Sequence, residues 1–342
     1  MSRRARGVLG AAITLLLLWW VLRDVSPSSV WAEVRGANPW WLLAAVVLAT
    51  FNFVLRAIRW RVLLEPGQGG SSFEARFGST CAGFAANNIF PARLGEFIRA
   101  YVLSRVAAVP LGASVGSLVV ERVLDGLVLA SFLAGAILSP TFPLGDTEAA
   151  AWVERTAMVA SVVFAIGFLT MWAAARRPAG TLRVWEATGG RIVPDRFADR
   201  ATDLVTTLIH GFGALARLHV LVRAVLWSLV VWVCLGLSIW AGLLAFGITA
   251  PGFVGSMFLQ AVIGFSVALP STPGFFGVFE AGARIGLQPW DIGDAVIVSF
   301  ATSYHILTFI PVTVLGLLYV RRIGLRWSDV RRQRSGEGGT LG

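Results

Sequence analysis

Long apolar runs punctuated by arginine clusters organise this chain. A membrane-crossing helix needs about 20 mostly apolar residues. Residues 7–22, 39–55, 111–138, 156–175, 218–248 and 292–320 are runs of this kind. The second ends in "RAIRWR", with Arg56, Arg59 and Arg61, the fourth stops at Arg176 and Arg177, and the last ends at Arg321 and Arg322. Basic residues collect on the cytoplasmic side of a membrane protein. These clusters therefore fix alternate crossings, with both termini cytoplasmic. The basic head and apolar body of residues 1–24 resemble a secretory signal. Trp19, Trp20 and Arg23 follow the run instead of the small residues a signal peptidase needs, so an uncleaved anchor is expected.

Two regions break the pattern. Residues 73–110 hold "FGSTCAGFAANNIF" followed by "PARLGEFIRAYVLSR", two pieces too short to cross, with Arg76 on one flank and Arg99 and Arg105 on the other. A re-entrant hairpin that enters and leaves on the cytoplasmic side accounts for both flanks. Residues 253–287 repeat the arrangement, broken at Pro270, Pro273 and Gly274, with flanks that lack arginine and lie outside by count. The expected fold is an all-α polytopic membrane protein of six full spans and two re-entrant helical hairpins. Residues 178–217 form a cytoplasmic connector, and residues 323–342 a basic, disordered tail after a membrane domain over 1–322. Gly83-Phe84, Pro91 and Gly95 match Gly264-Phe265, Pro270 and Gly274 in order. Interrupted segments in two halves point to an inverted-repeat transporter.

Composition agrees with a bilayer environment. Of 342 residues, 56% are hydrophobic and 14% charged, against about 25% charged in soluble domains. The net charge is +10, and every basic residue is arginine. That excludes lysine nucleophiles, and in a membrane chain the charge speaks for anionic lipid rather than nucleic acid. Two cysteines and three scattered histidines give no disulfide framework or metal set, so no cofactor or metal is expected. Paired tryptophans at 19–20 and 40–41, with Trp290, read as interface belts.

Charges within apolar segments are costly and mark function. The first cluster holds Asn87, Pro91, Arg93, Gly95, Glu96 and Arg99. On a helix starting near Pro91, Arg93, Glu96 and Arg99 are three apart and pair, and the helix start offers N–H groups to an anion. The second is Glu121, Arg122 and Asp125, two acids one turn apart that need a further cation, for which Arg93 and Arg99 are candidates. The third is Pro273, Gly274, Gly277, Glu280 and Arg284, where the glycines leave room for close backbone approach and Glu280 pairs with Arg284 at i,i+4. His305 reads as a packing residue or a proton relay.

"RAIRWRVLL", "NNIFPARLGEFIRAY", "VVERVLDG" and "PSTPGFFGVFEAG", in that order, resemble the lysylphosphatidylglycerol synthase transmembrane-region family of flippase-like proteins, over about residues 8–320. Some relatives carry a soluble aminoacyl-transferase domain. Only residues 323–342 follow here, so the resemblance implies the flippase-like part. It implies handling of aminoacylated phospholipids, polyprenol-linked sugars or hopanoid-pathway lipids, with the polar residues of the three motifs carrying it. Phe275 departs from a second glycine found in many relatives, so the substrate does not transfer directly.

The expectation is a translocator in a bacterial cell membrane rather than an enzyme. Arg93 holds a lipid phosphate, and Glu96, Glu121, Asp125 and Glu280 hold the head group or protons. The expected partners are membrane lipids, an anionic or lipid-linked substrate, and a separate glycosyltransferase or aminoacyl transferase, with no nucleic acid. The competing readings are a membrane-embedded transferase on a polyprenol-phosphate lipid and an accessory subunit of one.

Overall fold

The computed structural model describes residues 16, 19–21, 26–64, 70–90, 93–107, 109–143, 148–192, 201–202, 205–206, 212–268 and 273–324. Every regular element among them is helical. In chain order these are α1 (Pro27–Gly36), α2 (Pro39–Leu64), α3 (Phe73–Ile89), α4 (Gly95–Ala107), α5 (Leu111–Ile137), α6 (Glu148–Arg176), α7 (Pro178–Ile192), α8 (Leu218–Ala245), α9 (Gly252–Ser266), α10 (Val278–Leu287) and α11 (Asp294–Arg322). Most of the first expected span and of the basic tail, together with Pro91 and Pro270, lies outside the described residues.

Helices α2, α8 and α11 are long and apolar enough to cross a membrane. Helix α5 has the length, with 27 residues, but carries Glu121, Arg122 and Asp125 in its middle. The fold is that of a membrane protein turned polar side inward. Helix α2 buries Asn52, Arg56 and Arg59 while Leu43, Val47 and Phe51 are exposed. Ile310, Val314 and Leu318 of α11 and Leu226 and Val230 of α8 are exposed in the same way. An apolar belt of this extent belongs against lipid tails.

Two apolar clusters close the ends of the bundle, one around Trp60, Leu103 and Leu124, the other around Leu243, Leu259 and Phe300. The first end also holds the ion pair of Arg322 with Glu74 at 2.9 Å and the bond from Arg76 Nε to the Ala57 carbonyl at 3.0 Å. The second end joins Asn38 N–H to the Ala245 carbonyl at 2.8 Å, and Phe142 to Trp290 with ring centroids 5.2 Å apart.

Both interrupted regions are helical hairpins. Helices α3 and α4 pack together, as do α9 and α10. The 15 residues of α9 are too few for the roughly 30 Å of a hydrocarbon core at about 1.5 Å per residue. The first hairpin begins beside Arg322, and near its turn Asn88 Nδ2 donates to Thr313 Oγ1 at 2.7 Å, nine residues back along α11. The second begins at the opposite end, and at its turn Phe276 meets Phe309 of α11 at 5.8 Å. The hairpins thus run in from opposite ends and meet beside the middle of α11.

The glycine correspondence between the hairpins does not extend to their packing. A Cβ on Gly83 falls 2.6 Å from Arg99 Cβ, within the first hairpin. Gly264 faces Leu129 of α5, and within the second hairpin it is a Cβ on Gly282 that would fall 3.3 Å from Ile263 Cα.

Candidate functional site

Helices α2, α4 and α5 bring four arginines onto two acids. Glu121 is fully buried and Asp125 nearly so, one turn apart on α5. Arg99 reaches Glu121 with both terminal nitrogens, at 2.6 and 3.1 Å. Arg59 bridges the acids, 3.1 Å from Glu121 Oε1 and paired with Asp125. Arg122 Nη2 lies 2.7 Å from Glu121 Oε1 and 3.1 Å from Asp125 Oδ2. Trp232 Nε1 donates to Asp125 at 2.7 Å. Arg56 is 4% exposed, and its Nε donates to Asn52 Oδ1 at 2.8 Å. Its Nη1 makes no hydrogen bond, with Asp125 Oδ2 at 3.9 Å.

Four guanidinium groups against two carboxylates leave a surplus of two positive charges. Burying charge without compensation is expensive, and an anion is one group that can offset the surplus. The place for one is a cavity of about 520 Å³ beside the cluster. Its wall includes Arg56, Arg99, Arg122 and Asp125, and the rest is mostly apolar, with Phe84, Trp232, Phe275, Phe279 and Phe309. Arg56 lies over the rings of Phe84 and Trp232, 5.3 Å from each. Such cation–π contacts hold a cation where it has few other partners.

The first motif is rearranged relative to expectation. The helix starts at Gly95 because Arg93 has φ +52°, a left-handed conformation that a helix cannot continue through. Gly95 N–H is taken by Asn87 Oδ1 at 2.7 Å. One N–H of the helix start expected to seat an anion is thus taken from within its own hairpin. Arg93 pairs with Glu96 at 3.7 Å, as the spacing implies, but Arg99 leaves Glu96 for Glu121. Arg93 also donates to the Ala268 carbonyl at 3.0 Å and lies 5.9 Å from the Phe275 ring, joining the two hairpin turns. It lines the same cavity together with Glu96, and its Nε, like Nη1 of Arg56, is buried with no hydrogen-bond partner.

In the third motif Glu280 and Arg284 do not pair with each other. Glu280 sits in the first turn of α10, and its Oε2 accepts Gly277 N–H at 2.7 Å, because a carboxylate there reaches back to the preceding backbone. Its Oε1 lies 2.7 Å from His305 Nδ1. Arg284 pairs with Asp294 at 2.5 Å and donates to the Trp20 carbonyl at 2.8 Å. That places it away from the cavity wall. Gly274 and Gly277 have φ +72° and +82°, and Phe275 between them has φ +61°. The first duty of these glycines is a left-handed turn, and Phe275 adopts that turn with a full side chain.

Arg56 and Arg59 escaped sequence reasoning as site residues, having been assigned to the cytoplasmic end of a span. The available signal was Asn52, Arg56 and Arg59 at i, i+4 and i+7, one polar face of an apolar helix.

Residues 7–316 match the lysylphosphatidylglycerol synthase transmembrane region. The chain belongs to this family. Among its relatives is a Haloferax volcanii protein named glycosyltransferase AglD, 28% identical over 303 residues, covering 82% of this chain and 48% of that protein. A Methanothermobacter thermautotrophicus UPF0104 membrane protein is 22% identical over 95% of this chain and 97% of its own length. The UPF0104 membrane protein MJ1595 of Methanocaldococcus jannaschii is 24% identical over 45% of this chain and 47% of its own. The chain thus spans about half the length of AglD and MJ1595. The expectation that this lysylphosphatidylglycerol synthase transmembrane-region protein is not an enzyme is corrected here: a relative matched over most of the chain bears a glycosyltransferase name.

Proposed function

We propose that this protein binds a lipid-linked phosphate between Arg56 and Arg122 and carries the attached head group across the membrane between its two hairpins. The observation that carries the reading is the surplus of two charges beside a cavity, with Arg56 Nη1 buried and unbonded. Phosphate is the lipid group that accepts charge-assisted bonds from several guanidinium groups at once. The apolar remainder of the wall suits a lipid chain. A cationic lysylated head group would add to the surplus. The reading therefore favours an anionic polyprenyl-phosphate lipid carrying a sugar, in line with the name of the Haloferax relative.

In this reading the hairpins are re-entrant from opposite faces in a six-span inverted repeat with both termini cytoplasmic. A separate glycosyltransferase supplies or consumes the lipid. A second reading, also favoured by that relative, is that the site presents the lipid phosphate for glycosyl transfer within the membrane.

Reconstituted vesicles test both. Fluorescent polyprenyl phosphate should bind and exchange between leaflets, and a lysylated phospholipid should not. Losing a charge-assisted bond costs about 1.5–3 kcal/mol, so Arg56→Gln and Arg122→Gln should each weaken binding about 10–100-fold. Preference for the lysylated lipid would sink the proposal. Mass spectrometry of the recovered lipid separates translocation from transfer, because only transfer changes its mass.

A further inference from the structure

The arginine cluster accounts for one part of the cavity wall. Another part holds a dyad that phosphate binding does not use. His305 lines the same cavity and is almost buried. Its ring stacks on Phe279 at 4.3 Å and 21°, and Phe276 lies 4.8 Å away. Its Nδ1 is 2.7 Å from Glu280 Oε1, while Glu280 Oε2 accepts the N–H of Gly277 at 2.7 Å.

Oε2 is thereby occupied as an acceptor, and the Oε1–Nδ1 contact carries one proton; an imidazole beside a carboxylate donates to it when that proton sits on Nδ1. A carboxylate that holds one imidazole nitrogen sets the tautomer. In the neutral ring Nε2 is then an acceptor, waiting for a donor. A phosphate oxygen without a proton cannot supply one. A hydroxyl can, and the aromatic faces beside the histidine suit the C–H faces of a polyhydroxylated ring.

We infer that Glu280 and His305 form a second subsite of the cavity, one that receives a hydroxyl of the head group whose phosphate lies on the arginines. The inference rests on the phosphate reading above and adds the chemistry of the group beyond the phosphate. His305 takes the ligand hydroxyl at Nε2, and Glu280 acts through it as a positioning residue. The hydroxyls can come from a hexose on a polyprenyl phosphate or from the ring of phosphatidylinositol.

The test measures binding of purified protein in nanodiscs to five lipids: polyprenyl phosphate, polyprenyl-phosphate hexose, phosphatidic acid, phosphatidylinositol and, as an amine control, phosphatidylethanolamine. The hydroxylated member of the matching pair should bind about tenfold tighter than its bare counterpart, equivalent to about 1.4 kcal/mol. The pair that shows the gain identifies the source of the hydroxyls. His305→Phe keeps the ring packing and should erase the gain while bare-phosphate binding persists, which also reports an intact cavity. If His305→Phe loses all binding because Glu280 is left buried without its partner, His305→Phe combined with Glu280→Gln, which removes that charge and still offers no ring acceptor, takes its place under the same expectation. Glu280→Gln still accepts from Gly277 and should reduce the gain only in part. Equal binding of bare and hydroxylated lipids, or a gain that survives loss of the imidazole, overturns the subsite and leaves the phosphate reading standing. Equal tightening by phosphatidylethanolamine assigns the subsite to amines and overturns the hydroxyl. If neither bare lipid binds the wild-type protein, both readings fall.

Discussion

Glu121 shows how far a single buried residue can decide stability in this chain. It is inaccessible to solvent, and Arg59, Arg99 and Arg122 converge on it. Breaking a buried charge network by removing one partner costs about 3–5 kcal/mol, since the partners stay buried. Glu121→Gln should accordingly show a large fall in midpoint temperature in detergent. Glu74→Gln, which removes an exposed pair with Arg322, should shift it little, because such pairs are worth about 0–1 kcal/mol. Equal shifts would mean that the cluster does not hold the fold. The acids of this cluster were legible in the sequence as two carboxylates in an apolar run, which call for a partner unless the helix starts late enough to leave them at the interface. Half of their partners were not. Arg56 and Arg59 share a short stretch with Arg61, which is exposed. Sequence spacing cannot tell an interior arginine from an interfacial one when the helix continues unbroken to Leu64.

Among the elements, the first hairpin depends on how closely α3 and α4 approach. A methyl group on Gly95 would overlap the carbonyl oxygen of Gly83 and sit 2.6 Å from Asn87 Cγ. Neither obstacle is the far end of a flexible chain, so the helices must part. Gly135 in α5 has open space around its Cα, and alanine is better than glycine in a helix by about 1 kcal/mol. Gly95→Ala should lower thermal stability and weaken lipid binding, whereas Gly135→Ala should be neutral or stabilising. Thermal melts of the two purified variants compare them, and an unchanged Gly95→Ala melt would contradict the packing. Existence and pairing of both hairpins could be read from broken apolar runs. The first turn of α4 could not, because the positive φ of Arg93 delays the helix from the vicinity of Pro91 to Gly95. Backbone strain at a non-glycine residue leaves no mark in composition. The same holds for Phe275, whose left-handed backbone is one that glycine adopts more readily.

At the level of the whole molecule, the internal contacts sort loops into two ends without reference to a membrane. Arg61 and Arg321 lie toward the end that joins Glu74 to Arg322. Leu138 belongs to the end where Phe142 meets Trp290. The contacts do not say which end is which; the positive-inside rule predicts that the first, arginine-bearing end faces the cytoplasm. Cysteine labelling puts both at risk, and the chain is suited to it, because Cys81 and Cys234 are buried and give little background. Arg61→Cys, Arg321→Cys and Leu138→Cys all replace exposed side chains. In sealed right-side-out vesicles a membrane-impermeant maleimide should label only the Leu138 variant, and in inverted vesicles only the two arginine variants. Labelling of all three from one side would mean that the two ends do not lie on opposite faces of the bilayer, and would remove the geometric basis for hairpins that enter from opposite faces.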